Sequence, residues 1–181
     1  MKLVVNDSKE TRTKLNILVL CTGNSARSIM AEALFNSVGS SYFQAWSAGS
    51  HPTGKVNPYA LERIAALGYA ANDVSSQSWH EFEQAHAPHF DIVMTVCGNA
   101  AAEDCPIFQG DWSHVHWGLP DPANVNASPE ESRAAFASCF DTLKQRIEEV
   151  VAALKELDRK YHSKEQYRAD LLALLEQQST Q

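Results

Sequence analysis

A chain of 181 residues, 44% hydrophobic and 20% charged, is long enough to bury one substantial core and reads as one soluble domain. Its formal net charge of −7 argues against nucleic acid or an anionic membrane as a general partner, because such surfaces are bound through clustered Lys and Arg. No run reaches the roughly 18 apolar residues of a membrane span, and the N-terminus, with Lys2, Asp7, Lys9, Glu10 and Arg12, lacks the apolar stretch of a signal peptide, so a cytoplasmic location is expected.

Residues 1–14 are polar and aperiodic, and Leu15 to Leu20 then form an apolar run of strand length that stops at Cys21. After the loop Cys21-Thr22-Gly23-Asn24-Ser25-Ala26-Arg27-Ser28, the residues Ile29, Met30, Ala33, Leu34 and Val38 recur at helical spacing. A second strand is expected over Tyr42 to Trp46. Asn57-Pro58 reads as the cap and first position of a helix carrying Leu61, Ile64, Ala65 and Leu67, with Gly68 placed to end it. His80 to His86 is read as a short helix, Asp91 to Val96 as a third strand ending at Cys97, and Ser113 to Trp117 as a fourth, followed by Gly118-Leu119-Pro120-Asp121-Pro122. A long last helix starts at Ser128-Pro129 with Glu131 completing a capping box, and buries Phe136, Phe140, Leu143, Ile147, Val150 and Leu154.

This alternation predicts an α/β fold with a parallel sheet flanked by helices on both faces, and in such sheets ligands bind outside the carboxyl ends of the strands. Cys21, Cys97 and Asp121 each follow a strand there. The expected division is a domain over 15–154, a polar N-terminal extension over 1–14, and a charged amphipathic helical tail over 155–181. The apolar face of that tail, Leu171, Leu172, Leu174 and Leu175, needs either the body of the domain or a second subunit.

The chemistry centres on the spacing Cys21-x5-Arg27 between a strand and a helix. Backbone amides of Thr22 to Ser28 and the positive end of the helix converge on one anion, and the planar fork of Arg27 suits two oxygens of a tetrahedral oxyanion. The same field is expected to depress the pKa of Cys21 and make it a thiolate nucleophile. Four cysteines are too few and too unevenly spaced for a stapled secreted scaffold, so Cys21, Cys97, Cys105 and Cys139 are thiols, ligands or redox participants. Cys139 lies on the apolar stripe of the last helix and reads as core.

The run Val19 to Ser28 followed by Ala31-Glu32-Ala33 resembles the phosphate loop of the low-molecular-weight tyrosine phosphatase superfamily. Ser47-Ala48-Gly49, Val96-Cys97-Gly98-Asn99, Cys105-Pro106 and His116 to Pro122 are similar to the arsenate reductases of that superfamily, over residues 15 to 150. The resemblance implies four parallel strands, Cys21 as nucleophile, and Thr22, Gly23, Asn24, Ser25, Ala26, Arg27 and Ser28 as the oxyanion cradle. It further implies Asp121 as general acid, Ser28 bonded to the Cys21 sulfur, and Asn24 holding the loop. Arsenate would add to Cys21, Cys97 would attack Cys21 and release arsenite, and Cys105 would attack Cys97. Gly98 to Asp104 is expected to rearrange cheaply for that last step.

Ala26 stands where many superfamily loops carry a second cysteine, so no vicinal disulfide with Cys21 can form. Seven residues separate Cys97 from Cys105, one more than in the best-known thioredoxin-coupled relatives, which leaves thioredoxin first and a glutathione and glutaredoxin route second. No cofactor is implied and no metal is assigned, although some relatives hold a potassium ion at positions matching Asn24, Glu32, Ser47 and Asp73. Two other readings compete. A phosphotyrosine phosphatase shares Cys21, Arg27 and Asp121, yet Ala123-Asn124-Val125 follows Asp-Pro where phosphatases place aromatic residues; a zinc or sensor module would use Cys97, Cys105, His114 and His116.

Overall fold

The computed structural model of the chain describes residues 14–123, 126–160 and 164–180. Four strands, β1 (Leu15–Cys21), β2 (Phe43–Gly49), β3 (Ile92–Thr95) and β4 (Ser113–His116), form one parallel sheet in the order β2-β1-β3-β4. Burial on both faces explains why β1 reads as a continuous apolar run: Ile17, Val19 and Cys21 enter one core and Leu18 and Leu20 the other. The helices α1 (Arg27–Ser37), α2 (Pro58–Ala65), α4 (Pro129–Lys160) and α5 (Lys164–Gln177) bury their apolar residues in the first core. The second face is covered by a 3-10 turn, Trp79–Phe82, whose aromatic rings pack with Phe90 and Phe108.

Several boundaries differ from the expectations for physical reasons. β2 runs three residues past Trp46, because Ser47, Ala48 and Gly49 pair with Val19, Leu20 and Cys21 and their small side chains fit beneath the loop. The helix expected over 80–86 is only the turn Trp79–Phe82. The Glu81 and Glu83 amides bond three residues back, to the Ser78 (3.1 Å) and His80 (3.3 Å) carbonyls, the tighter pattern that seldom extends beyond a few residues. A short helix not foreseen, α3 (Gly98–Ala102), follows β3 directly. Asn57 caps α2 as expected, its side chain accepting from the Tyr59 amide at 2.9 Å, and Gly68 takes φ +89° past the helix end.

Helix α4 continues through Leu154 to Lys160 without a break. The apolar face of α5 is covered by the same chain: Tyr167, Leu171 and Leu175 are buried, and the fully buried Trp117 donates from Nε1 to the Leu175 carbonyl at 2.8 Å. Apart from Lys14, the N-terminal extension lies outside the described residues.

Candidate active site

The loop from Cys21 to Arg27 is shaped by a second layer of backbone laid around it. The carbonyls of Cys21, Thr22, Gly23 and Ser25 accept from the amides of Ser50 (3.3 Å), His51 (2.9 Å), Thr53 (3.0 Å) and Asn57 (2.9 Å). A trans peptide points its N–H opposite to the preceding carbonyl, so the amides of Thr22, Gly23, Asn24 and Ala26 turn the other way. The Asn24 amide accordingly donates to Cys21 Sγ at 3.2 Å. This close layering requires Gly49, where an added Cβ would lie 2.5 Å from the Thr22 carbonyl oxygen.

Asn24 has φ +42°, a left-handed conformation that its side chain holds in place. Its Oδ1 accepts from the Gln77 amide at 2.7 Å, which fixes the orientation of the amide group. Its Nδ2 therefore donates both to Ser28 Oγ (3.0 Å) and to Ser47 Oγ (2.9 Å). Ser47 donates to Glu32, and Ser28 Oγ lies 2.9 Å from Cys21 Sγ, to which its hydroxyl donates once the sulfur is charged. All of Asn24, Ser28 and Ser47 are fully buried.

The sulfur's electrostatics correct one expectation. Burial pushes the Cys21 thiol above its ordinary value, outweighing the hydrogen bonds from Ser28 and the loop amides that pull it down, and a charge on Cys97 would push it higher still. Arg27 is not among the groups that lower it. Its guanidinium donates to the Leu119 carbonyl at 2.9 Å and pairs with Asp121 across 3.2 Å. The residue expected to polarise the thiol is thus committed to the loop after β4, a contact with no pattern in the sequence. Burial pushes Glu32 up as well, to about 7.

The other predicted residues collect at the same edge to different degrees. Asp121 is exposed, and its Oδ1 accepts from the Ala123 amide at 3.1 Å, which leaves Oδ2 to Arg27. Cys97 is buried, two residues past the strand that pairs with β1, and its Sγ lies 3.5 Å from Thr22 Oγ1. It also caps α3, accepting from the Ala100 amide at 3.4 Å, so a rearrangement of Gly98 to Asp104 has to unwind that helix. Such a short helix is marginal on its own, and the cost stays small. Cys105 is exposed beyond α3, and its thiol is pushed up by partial burial. Cys139 is buried in the core as expected, with a thiol pushed up to about 11 by burial.

Sequence reasoning missed Gln77, which holds both Asn24 and, through Nε2, the Ser47 carbonyl at 2.9 Å. It sits in an irregular segment where no periodicity marks it. At the positions matched to potassium, Ser47 donates to Glu32, Asn24 turns Nδ2 toward Ser47, and the Asp73 carboxylate accepts from the Ala70 amide at 2.6 Å. Among the described residues no group of three or more His, Cys, Asp or Glu side chains is placed to hold a metal ion. His114 and His116 instead meet on Thr95 Oγ1, at 3.0 and 2.8 Å. Asn124 and Val125, weighed against the phosphatase reading, lie outside the described residues.

Residues 16–163 match the family described as low molecular weight phosphotyrosine protein phosphatase. An arsenate reductase of Halalkalibacterium halodurans is 37% identical over 131 residues, covering 72% of this chain and 91% of that protein. One from Bacillus subtilis is 34% identical over 133 residues, covering 74% and 92%. The crystal structure of an arsenate reductase from Archaeoglobus fulgidus superposes with a TM-score of 0.57 at 26% identity, covering 75% of this chain and 98% of that one.

Proposed function

Because the chain belongs to the low molecular weight phosphotyrosine protein phosphatase family, and relatives at 34–37% identity are arsenate reductases, we propose that it reduces arsenate to arsenite through Cys21, Cys97 and Cys105 in turn. The observation that carries this reading is the second thiol: Cys97 lies two residues past β3, the strand next to the one that ends in Cys21, with its sulfur against Thr22. A phosphatase needs one sulfur and water, whereas taking As(V) to As(III) needs two electrons, which two thiolates give by becoming a disulfide.

The loop amides bind the oxyanion, and Arg27 turns from Asp121 to two of its oxygens. Ser28 and the Asn24 amide hold negative charge on Cys21 Sγ. The sulfur attacks arsenic as its own proton passes to the bound oxyanion, an As–O bond breaks, and Asp121, released from Arg27, relays that proton so that the oxygen leaves as water. The Cys97 thiolate then attacks Cys21 Sγ. An S–S bond forms, the S–As bond breaks, and its electron pair stays on arsenic, which departs as arsenite. Cys105 attacks Cys97 Sγ, freeing the Cys21 thiolate and leaving Cys97–Cys105 at an exposed position. An external dithiol of the thioredoxin kind reduces that disulfide, with glutathione and glutaredoxin as the second route.

This chemistry belongs in a reducing compartment, and the cytoplasm is the assigned location. Among the described residues no helix is long and apolar enough to cross a membrane. The catalytic unit is taken as 15–154, with α5 as a helical addition packed on β4. Slow hydrolysis of aryl phosphates is expected as a side activity, since Cys21, Arg27 and Asp121 also serve that reaction. The test pairs arsenate and a thioredoxin system against para-nitrophenyl phosphate, with a glutathione and glutaredoxin arm. Multiple turnovers of arsenate with either reductant support the reading; ester hydrolysis alone makes the protein a phosphatase.

A further inference from the structure

A second cavity, of about 550 Å³, lies between the Gly118–Pro122 loop and helix α4. None of residues 21–28 lines it, so it is separate from the oxyanion loop, although Asp121 and Leu119 border both. Its one cationic lining residue is Arg146, 8% exposed. Nη1 of that guanidinium is buried without a hydrogen-bond partner among the described residues. The group rests over the Trp117 ring at 5.9 Å, a contact that engages its face and leaves Nη1 unpaired.

The carboxylates near Arg146 direct their hydrogen-bonding oxygens elsewhere. Glu149, whose charge reaches it, has one oxygen taken by Gln145 Nε2 at 2.9 Å and the other by Gln178 Nε2 at 2.8 Å. Asp121 pairs with Arg27. Cys139, also in the lining, is a neutral thiol at physiological pH because burial pushes it to about 11. A buried guanidinium N–H without a hydrogen-bond partner is costly to keep and waits for an acceptor.

We infer that this cavity binds a small organic monoanion, a carboxylate on a mostly apolar body, with Arg146 as its anchor. A planar fork meets a carboxylate through two parallel hydrogen bonds. A doubly charged tetrahedral oxyanion would need a second cation, and the lining has none. Leu119, Pro120, Pro122 and Ala135 offer the apolar walls for the remainder of the ligand. The volume lies within the roughly 300–1,000 Å³ of small-molecule sites and is far larger than one oxyanion fills. An occupant braces the loop that carries Asp121, and the inference stands whether or not the chain reduces arsenate.

The test is calorimetric titration of the full-length protein with benzoate and hexanoate, and with neutral benzamide, without added oxyanion so that Arg27 stays paired with Asp121. Both carboxylates should bind once per chain, and benzamide at least about tenfold more weakly. Arg146→Met should weaken benzoate by at least about tenfold while the melting temperature holds or rises, because a buried donor left unpaired is removed. Should that variant not fold, Ala135→Trp at the exposed rim narrows the cavity without touching Arg146 and should weaken benzoate as well. Equal binding of benzoate and benzamide, no binding of either carboxylate, or unchanged benzoate affinity in the folded Arg146→Met or in Ala135→Trp overturns the inference.

Discussion

Replacing Ser28 by Ala removes the hydroxyl that donates to Cys21 Sγ at 2.9 Å in a fully buried setting. Because Asn24 Nδ2 already donates to that hydroxyl, its proton is aimed at the sulfur, and its loss falls on the thiolate more than on the thiol. A hydrogen bond to a charged group contributes about 1.5–3 kcal/mol. At 1.36 kcal/mol per unit, that raises the Cys21 pKa by about one to two units. Burial has already pushed this thiol up, so the remaining thiolate at neutral pH falls about ten- to a hundredfold. A more basic thiolate attacks faster, with a Brønsted slope near 0.4–0.5. The net slowing of the first chemical step is then about three- to tenfold at pH 7. The assay is alkylation of Cys21 by iodoacetamide across pH, followed by peptide mass spectrometry, beside single-turnover arsenate reduction. An alkylation midpoint in Ser28→Ala that stays put or moves down would refute the hydrogen-bond argument.

Glu32, raised from 4.5 to about 7, binds its proton more tightly folded than unfolded, so its contribution to stability is full below pH 4.5 and is lost as pH rises through 7. Glu32→Gln should therefore be more stable than the parent at pH 8 by on the order of 2–3 kcal/mol and equal to it near pH 4.5, and parallel denaturation curves across that range would contradict this. Gly49→Ala places a methyl 2.5 Å from the Thr22 carbonyl and should cost about 1–3 kcal/mol and most of the activity, checked by melting and turnover. Asp121→Asn should slow the first step about 10²–10⁴-fold in single-turnover experiments while oxyanion affinity holds, and an unchanged rate removes Asp121 from proton transfer.

Where one local rule dominates, the sequence was readable: the apolar run into Cys21, the Asn57-Pro58 cap, and the Ser128-Pro129 start of α4 are each set by neighbours in the chain. The Ser128 amide indeed accepts the capping partnership with Glu131, donating to its carboxylate at 2.7 Å. What escaped depends on residues distant in sequence. Gln77 bonds Asn24 across 53 positions, and Arg27 bonds the Leu119 carbonyl across 92. The pKa of Cys21 departs from expectation for the same reason: a helix terminus and an arginine are visible in the sequence, but the depth of burial that pushes the thiol up is a tertiary property. The small α3 helix has no signature in the sequence because its Ala residues carry no apolar periodicity, only a cap from Cys97.

The central claim is that Cys21 and Cys97 exchange a bond after arsenic has been attacked, and it is tested most directly by the Cys105→Ser protein given one equivalent of arsenate and no external reductant. Intact-mass and peptide analysis should find one arsenite released per chain and a Cys21–Cys97 disulfide, seen as the loss of two hydrogens. Release of arsenite with both of those cysteines still alkylatable, or repeated turnover by a Cys97→Ser protein with the same reductant, would contradict the account.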